Sequence, residues 1–497
     1  MPNEVAQTCA TYDRMAESWK LPRALMGGTK AMRKAGETYL PKEPGESAEA
    51  YESRCSRSTL FNAFKRTVGG MTGKVFARDI AIGDDVPDAI AGKPIDANAK
   101  KKERKDGWVE DIDLTGRNIN SFARDVFHDG VQTGISHILV DMPAGEPART
   151  VAEEQAAGRR PYLVHIKAED MIGWRTETIK GREVLTQIRF REHITTDDGE
   201  YGEKSEERIR VLWRDRYEVW RKIEKAGPDG ELWEMIEKGA VSLGEIPLAT
   251  FYAARTGFMT AEPPLEDLAY LNASHWQSAS DQRHILHVAR VPILFGRGLN
   301  LIDENGQPVQ IGSNRMITSN DEHGDLKYVE HNGAGISAGR QDLIDIEDRM
   351  RVMGLELFMP KTTGTQTATG KAIDSAEQNS VVKTTALSLK DAMEQALVYM
   401  AKWAKLGDSG GSLVVNTDYL TFTGQAAQDI TALLNARMAG EISRTTFWSE
   451  MKRRGFLADD FEVETEEERL AEEAPGLAGV GMSDDDENAE DGEAEAA

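Results

Sequence analysis

Two glycine-rich stretches carry the residue types of a phosphate-binding loop, and neither has its spacing. Such a loop needs Gly, four residues, then Gly-Lys-Ser/Thr, so that backbone N–H groups surround the phosphates and the hydroxyl reaches magnesium. Gly364-Thr365-Gln366-Thr367-Ala368-Thr369-Gly370-Lys371-Ala372 has one residue too many and ends in Ala, while Gly69-Gly70-Met71-Thr72-Gly73-Lys74-Val75 has one too few and ends in Val. Neither is expected to hold ATP. His284 and His287 share a helix face at i, i+3, but no Glu completes a zinc-protease pattern, so a surface or ring-interface role is favoured over metal binding. No nucleophile elbow of the Gly-x-Ser-x-Gly kind is expected. The carboxylates are too many and too scattered for any pair to stand out as acid and base. The expectation is a protein with no enzymatic activity, no cofactor and no metal.

The first of these stretches leads directly into the longest helical pattern of the chain. From Ala372 to Leu406 there is neither Gly nor Pro, and Val382, Ala386, Leu389, Met393, Ala396, Met400 and Trp403 recur at alternating steps of four and three. That spacing is one continuous apolar seam. At about 1.5 Å per residue the helix spans roughly 52 Å. This exceeds what a compact domain needs, so the seam is expected to pack along a neighbouring helix or subunit and support an assembly.

A second long helix is predicted from Pro263-Pro264 to Arg290, about 39 Å. Proline suits a first helical turn, whose N–H groups have no intrahelical acceptor, and Pro292 ends the pattern. Asn272, Gln277, Ser278, Ser280, Asp281, Gln282 and Arg283 leave only a narrow stripe of Leu265, Leu268, Trp276, Ala279 and Leu286. One face is therefore expected to meet water or a hydrated channel. Short apolar runs at Ile293 and Met316 follow, separated by DENGQP and NDEHGD, before Arg340 to Leu357 returns to helical spacing through Leu343, Ile346, Met350 and Met353.

Upstream, the text is mainly helical to about Met142, with a basic run, Lys100 to Lys105, that reads as a solvated loop. From Pro161 to Phe251 the period changes to two. Tyr217, Val219 and Ile223 alternate with Glu218, Trp220 and Lys222, and turn signals fall at DDG (Asp197 to Gly199) and GPDG (Gly227 to Gly230). This is an antiparallel β zone. Its tryptophans, Trp174, Trp213, Trp220 and Trp233, read as core and subunit-contact residues rather than a base-stacking platform.

The 497 residues are 40% hydrophobic and 29% charged, ordinary for a globular chain long enough for two or three domains. The start, MPNEVAQTCATYDRMAESW, lacks the basic and apolar regions of a signal peptide, and no run approaches the ~18 apolar residues of a membrane span. The chain is expected to stay in the cytoplasm where it is made. Cys9 and Cys55 are read as reduced thiols, too few for a disulfide framework. Phe456 to Ala497 holds 17 acidic residues against one arginine, −16 of the total −24, which leaves −8 for the preceding 455 residues. From Ala474 the segment is expected to be disordered, because its end, SDDDENAEDGEAEAA, has no aromatic or β-branched residue to offset ordering entropy. It reads either as a solvated solubility tail or as a segment that repels DNA or engages a basic partner.

GLELFMP with TGTQTATGKAIDSAEQNS resembles the tunnel loop and long kinked helix of tailed-bacteriophage portal proteins, in a subgroup labelled as a conserved domain of unknown function. Tyr39 to Phe76, Asp111 to Pro143, Val164 to Arg175, Glu245 to Arg255 and Glu262 to His284 resemble the same subgroup in the same order. The resemblance covers Tyr39 to Leu470, and no single short motif carries it. It implies an α+β fold of portal architecture: an α/β wing, a helical stem with a small β-rich clip, a tunnel loop, a long kinked helix and a helical crown. Mapped on this chain, residues 1–160 are the mainly helical part of the wing and 161–260 its antiparallel β part. The stem helices are 261–292 and 339–357, with the clip at 293–338 between them. The tunnel loop is 358–371, the long helix 372–406, the crown 407–473 and the acidic tail 474–497.

The resemblance further implies a homo-oligomeric ring, typically a dodecamer, at one vertex of a phage capsid. Its channel passes double-stranded DNA non-specifically during packaging and ejection. The implied partners are the terminase large subunit, a head–tail adaptor and the major capsid protein, with no membrane; the implied location is the virion, after assembly in the host cytoplasm. The channel-facing tunnel loop would present Lys361, Thr362, Thr363, Thr365, Gln366, Thr367 and Lys371, whose hydroxyls and amide touch a DNA backbone without reading bases. The two lysines read equally well as solvated helix flanks. Gln277, Ser280, Asp281 and Arg283 would line the stem, and Arg297, Asn305, Asn314, Arg315 and Glu322 would form the clip docking surface. Composition agrees with a conduit, since a protein that neutralised many phosphates would arrest a sliding duplex. A capsid shell protein, a tail adaptor and, less well, a packaging motor subunit are the rival readings; the motor would need a working phosphate loop.

Overall fold

The computed structural model describes residues 2–94, 104–143, 159–227, 230–290, 293–297, 323–329, 333–355, 368–417, 419, 426–453, 456–457, 461, 463 and 465–470, with backbone alone at 2–3, 94, 104, 224–227, 230–231, 288, 293–294, 326, 328–329, 355, 368–380, 426–429 and 453. They form two units, Met1–Thr417 and Asp418–Ala497.

The first unit opens with helices capped by short polar side chains. After α1 (Ala10–Met26) and α2 (Gly28–Ala35), Ser47 Oγ accepts the Ala50 N–H at 3.1 Å to start α3 (Ala48–Arg57), and Asn62 Oδ1 accepts the Lys65 N–H at 2.9 Å to start α4 (Ala63–Val75). Each cap satisfies a first-turn donor that the helix leaves unpaired. A two-residue strand β1 (Ala81–Ile82), a single turn α5 (Asp88–Ala91) and the paired bridges β2 (Lys93–Pro94) and β3 (Arg104–Lys105) lead to α6 (Ile119–Thr133). α6 stops at Gly134, φ 88°, where a Cβ would stand 2.2 Å from the Glu262 carbonyl oxygen; only glycine fits both conditions.

β4 (Ile135–Asp141) follows at once and is buried along its first six residues. It is the centre of an antiparallel sheet, flanked by β5 (Tyr162–Ile166) and by β11 (Leu248–Tyr252). The stretch to Met142 is mainly helical as expected, but β4 within it was not anticipated. A strand covered on both faces shows a continuous apolar run instead of alternation, so periodicity does not separate it from a buried helix.

The β zone is a five-stranded antiparallel meander of β6 (Gly173–Ile179), β7 (Arg182–Asp198), β8 (Gly202–Trp213), β9 (Arg216–Gly227) and β10 (Gly230–Ala240), each paired with its sequence neighbour. Ile188 on β7 lies opposite Leu212 on β8, and both join a core with Leu139, Ile166, Phe190 and Leu248 that ties this sheet to the first one. The other face has its own cluster, Ile172, Ile209, Val211 and Trp233, covered by Val5 and Ala6 of the N-terminal turn, with Trp213 and Trp220 packed against it. Trp174 packs against the first cluster.

After the short β12 (Arg255–Gly257) and β13 (Thr260–Ala261), α7 (Glu266–Ala289) packs against α8 (Ala334–Met350). Between them β14 (Ile293–Arg297) pairs antiparallel with β15 (Asp325–Val329). α8 begins at Ala334, ahead of the expected start at 339, and runs into a π-helical turn, Arg351–Leu355. Gly354 permits that turn: a Cβ there would lie 2.7 Å from both Leu268 Cδ2 and Thr67 Oγ1.

α9 (Ala368–Trp403) is about 54 Å long at the usual helical rise, and β16 (Leu413–Val414) closes the unit by pairing with β1. Val382, Ala386, Leu389, Met393, Ala396 and Met400 are all buried, as the seam requires, while Trp403 is half-buried. Of the two expected partners, a neighbouring helix or a subunit, the chain itself supplies helices, together with a sheet that was not expected. The helix packs along β11 and β4 and against α4 and α6 of the same chain. Over its described side chains the seam is thus covered within the subunit, while Val381 and Leu387 on the same helix stay exposed.

The second unit contains α10 (Ala426–Met438) and α11 (Arg444–Arg453). Trp448 anchors it, with the Arg444 guanidinium 4.5 Å from its ring centroid and Phe461 edge-on at 5.9 Å.

Candidate functional site

α7 carries the four residues expected to line a stem channel, and its polar face turns out to be bonded to its own chain. Asn272 is fully buried; its Oδ1 accepts the Phe64 N–H at 3.0 Å and its Nδ2 donates to the Phe61 carbonyl at 2.7 Å. It thus supplies a first-turn acceptor that α4 lacks. Gln277 Nε2 donates to the Tyr39 carbonyl at 3.1 Å, and Gln282 Nε2 donates to the Ile336 carbonyl on α8 at 2.8 Å. His275 Nε2 lies 3.2 Å from Glu347 Oε1, also on α8.

Ser280 is 2% exposed, with its Oγ 2.8 Å from that of Ser58, so it presents no surface to a channel. Arg283 is exposed but binds inward, donating to the Arg57 carbonyl at 3.2 Å and to Thr59 Oγ1 at 2.8 Å. Asp281 is half-exposed and lies 3.5 Å from Arg54. The expectation that this face meets a hydrated channel is corrected for Ser280 and Asn272. Polar side chains at helical spacing mark this face, but only the three-dimensional arrangement says whether water or backbone satisfies them.

Arg54, at 3% exposure, is the hub of the contact between α3 and α7. Its Nε and Nη2 donate to the two Glu46 carboxylate oxygens, each at 2.9 Å, and Nη2 also donates to the Pro41 carbonyl at 2.8 Å. Hydrogen bonding from Arg54 holds the Glu46 carboxyl down to about 2. Burial pushes Asp281 up against the lowering influence of Arg54.

The remaining expected residues fall largely outside the described structure. Lys361, Thr362, Thr363, Thr365, Gln366 and Thr367 lie outside the described residues, as do Asn305, Asn314, Arg315 and Glu322. Lys371 sits in the first turns of α9, where only the backbone is described, and Arg297 is exposed at the end of β14. Gly69 to Val75 is part of helix α4, so its N–H groups are committed to helical hydrogen bonds and cannot cradle a phosphate.

Two constellations that spacing did not reveal resemble hydrolase parts. Gly407-Asp408-Ser409-Gly410-Gly411 does read Gly-x-Ser-x-Gly, contrary to expectation. It lies in an exposed turn after a helix rather than between a strand and a helix, and Ser409 Oγ accepts the Gly411 N–H at 3.3 Å. Ser136, His165 and Asp129 meet in the core, but Ser136 Oγ (2.8 Å) and Asp129 Oδ2 (3.6 Å) approach the same imidazole nitrogen, Nε2, and Ser136 is fully buried. A relay needs opposite nitrogens. The trio belongs instead to a buried network in which Arg23 of α1 binds Asp129, Gln132 and Glu169, tying α1 to α6 and β4. Burial alone would raise the Asp129 carboxyl, yet His165 and Arg23 hold it down to about 2. Among the described residues no group of three or more His, Cys, Asp or Glu is placed to hold a metal ion, and no helix is long and apolar enough to cross a membrane.

Residues 264–404 match a family model described as a domain of unknown function, DUF4055, which spans α7 to the end of α9. No curated protein matches the chain. Among solved structures, the chain is similar to a component of the neck of an empty gene transfer agent particle computed with C6 symmetry: 11% identity, 77% of this chain and 87% of that one, TM-score 0.40. A chain of a native gene transfer agent virion gives 11% identity, the same coverage and a TM-score of 0.38. A chain of the native neck with C12 symmetry gives 12%, 78% of this chain, 88% of that one and 0.37.

Proposed function

We propose that this chain is a portal subunit: a non-enzymatic virion protein that forms a closed ring at the head–tail vertex of a phage capsid and passes double-stranded DNA through its centre. The observation that carries this reading is the order α7, β14–β15 hairpin, α8, then α9. It matches the stem, clip, stem and long helix that the sequence resemblance implies, with the tunnel-loop sequence between α8 and α9. Physical support comes from the outer faces of the α7–α8 pair. Tyr270 and Ile285 on α7 and Ile344 on α8 are exposed, as are Val352 and Met353 in the π-helical turn that follows α8. Apolar side chains repeated along two adjacent helices suit burial by a second copy of the same hairpin. The α9 seam, used up within the chain, does not contribute to that contact. In this reading the docking of terminase, adaptor and major capsid protein belongs to the clip and wing surfaces, and the channel loop touches DNA without base readout.

Light scattering on the purified chain, without DNA or nucleotide, should give a mass many times 54.9 kDa, and electron microscopy should show discrete rings with a central hole. A stable monomer, or closed polyhedral shells, would overturn the assignment.

A further inference from the structure

Between the C-terminal end of α3 and the middle of α7 lies a small cleft lined by Arg54, Arg57, Ser58, Ser280, Arg283 and His284, enclosing about 20 Å³. No carboxylate lines it. Arg54 spends its Nε and Nη2 on Glu46, and Asp281 approaches its Nη1 at 3.5 Å. Glu43 also acts on Arg54 and Asp281, so the three guanidinium groups are balanced by three carboxylates in charge; all three carboxylates stand outside the lining, which presents only guanidinium, imidazole and hydroxyl groups to the cleft.

The donors around the cleft outnumber their acceptors. Arg57 uses only Nε, toward the Ser53 carbonyl at 3.0 Å, and Arg283 uses only Nη1. No described residue accepts from the other nitrogens of either side chain. His284 Nδ1 is buried without a partner. The Ser58 hydroxyl is spent on the Arg54 carbonyl at 2.9 Å and on Ser280 Oγ at 2.8 Å, which leaves the Ser280 hydroxyl proton as the donor these two serines offer to the cleft. Unpaired guanidinium N–H groups are the strongest donors available to an oxyanion, and a buried unpartnered imidazole nitrogen costs free energy unless something occupies the space before it.

We propose that this cleft is an oxyanion site for a phosphate group. The volume admits one water-sized atom, so a single phosphate oxygen enters between Ser58, Ser280 and His284 while Arg57 and Arg283 hold the remaining oxygens at the mouth. The phosphate comes either from a nucleic-acid backbone or from free inorganic phosphate. One such contact per subunit adds weak, sequence-independent attraction and stays far below the number of contacts that would arrest a moving duplex.

The site is tested on the full chain by calorimetry with inorganic phosphate in chloride buffer, and by anisotropy of a fluorescent 20-base-pair duplex over a range of salt. The variants are R57Q, R283Q, R283K and, as a control for general charge, K238Q on β10. Phosphate binding should weaken at least fivefold in R57Q and R283Q, recover in part in R283K and stay unchanged in K238Q. If the source is a DNA backbone, the salt slope of duplex binding also falls by about 0.9 per contact removed; an unchanged duplex slope with lost phosphate binding assigns the site to free phosphate. Near-ultraviolet circular dichroism confirms that each variant is folded, and R57Q breaks only one backbone hydrogen bond. Phosphate heats equal to the chloride control, or unaltered in both glutamine variants, overturn the site. Binding is read in monomer or ring alike, so this result and that of the ring assay stand or fall separately.

Discussion

Arg54→Met separates the buried ion pair that joins α3 to α7 from the packing around it. Glu46 normally titrates near 4.5 and is held at about 2 in the fold, which corresponds to roughly 3.4 kcal/mol at neutral pH, at about 1.36 kcal/mol per tenfold change. The exposed turn Glu43 to Gly45 beside the carboxylate lets solvent screen the pair, so about half of that, near 2 kcal/mol, is the working figure. The sign follows from the direction of the shift. A carboxyl lowered in the folded state contributes stability that is complete above about 4.5 and is lost as pH falls toward about 2. At pH 3 less than half should remain. Methionine also abandons the Pro41 carbonyl, so the single variant should lose about 3 kcal/mol at pH 6, in the range for breaking one side of a buried pair.

The measurement is urea unfolding followed by tryptophan fluorescence, at fixed protein concentration because assembly couples to stability. Parent, R54M, E46Q and the double variant are compared at pH 6 and pH 3. The coupling between the two positions should be about 2 kcal/mol at pH 6 and under about 1 at pH 3. A coupling near zero at pH 6, or equal at the two pH values, would refute the account of Arg54 as the partner that sets the Glu46 titration.

Asn272→Leu keeps the volume of the side chain but orphans the Phe64 N–H and the Phe61 carbonyl; a loss of about 2–4 kcal/mol in the same urea assay is expected, and a neutral result would mean water replaces both bonds. Gly354→Ala forces a methyl against Leu268 and Thr67 and should cost about 1–3 kcal/mol in thermal unfolding, partly recovered in a Thr67→Ala background. Replacing Thr362, Thr363, Thr365 and Thr367 together with Asp should impair DNA packaging or retention while rings still form, because like charge then faces phosphate; the four-Ala version should be milder. Full genome retention by the acidic variant would remove this loop from the DNA-facing role.

The elements legible in the sequence are those whose signal is local. The four-and-three spacing from Val382 to Met400 identified both the helix α9 and its buried face, and two-residue alternation with DDG and GPDG turns identified the meander of β6 to β10. Periodicity reports only that a face is buried, since it is set by the backbone repeat and not by the partner. Whether that face met a neighbouring subunit or β4 and β11 of the same chain was decided by the tertiary fold. The same division explains α7. Its run of Asn, Gln, Ser and Arg announced a polar face, yet water and protein backbone satisfy such groups equally well in a sequence pattern. The acceptors and donors that claimed them, Phe61, Phe64, Ser58 and Tyr39, lie more than two hundred residues away along the chain. β4 was hidden for the opposite reason, because burial on both faces removes the alternation that marks a strand. The sequence by itself thus determined which segments fold and which of their faces are apolar or polar; the pairing of those faces, and with it the basic cleft between α3 and α7, existed only once the chain had closed on itself.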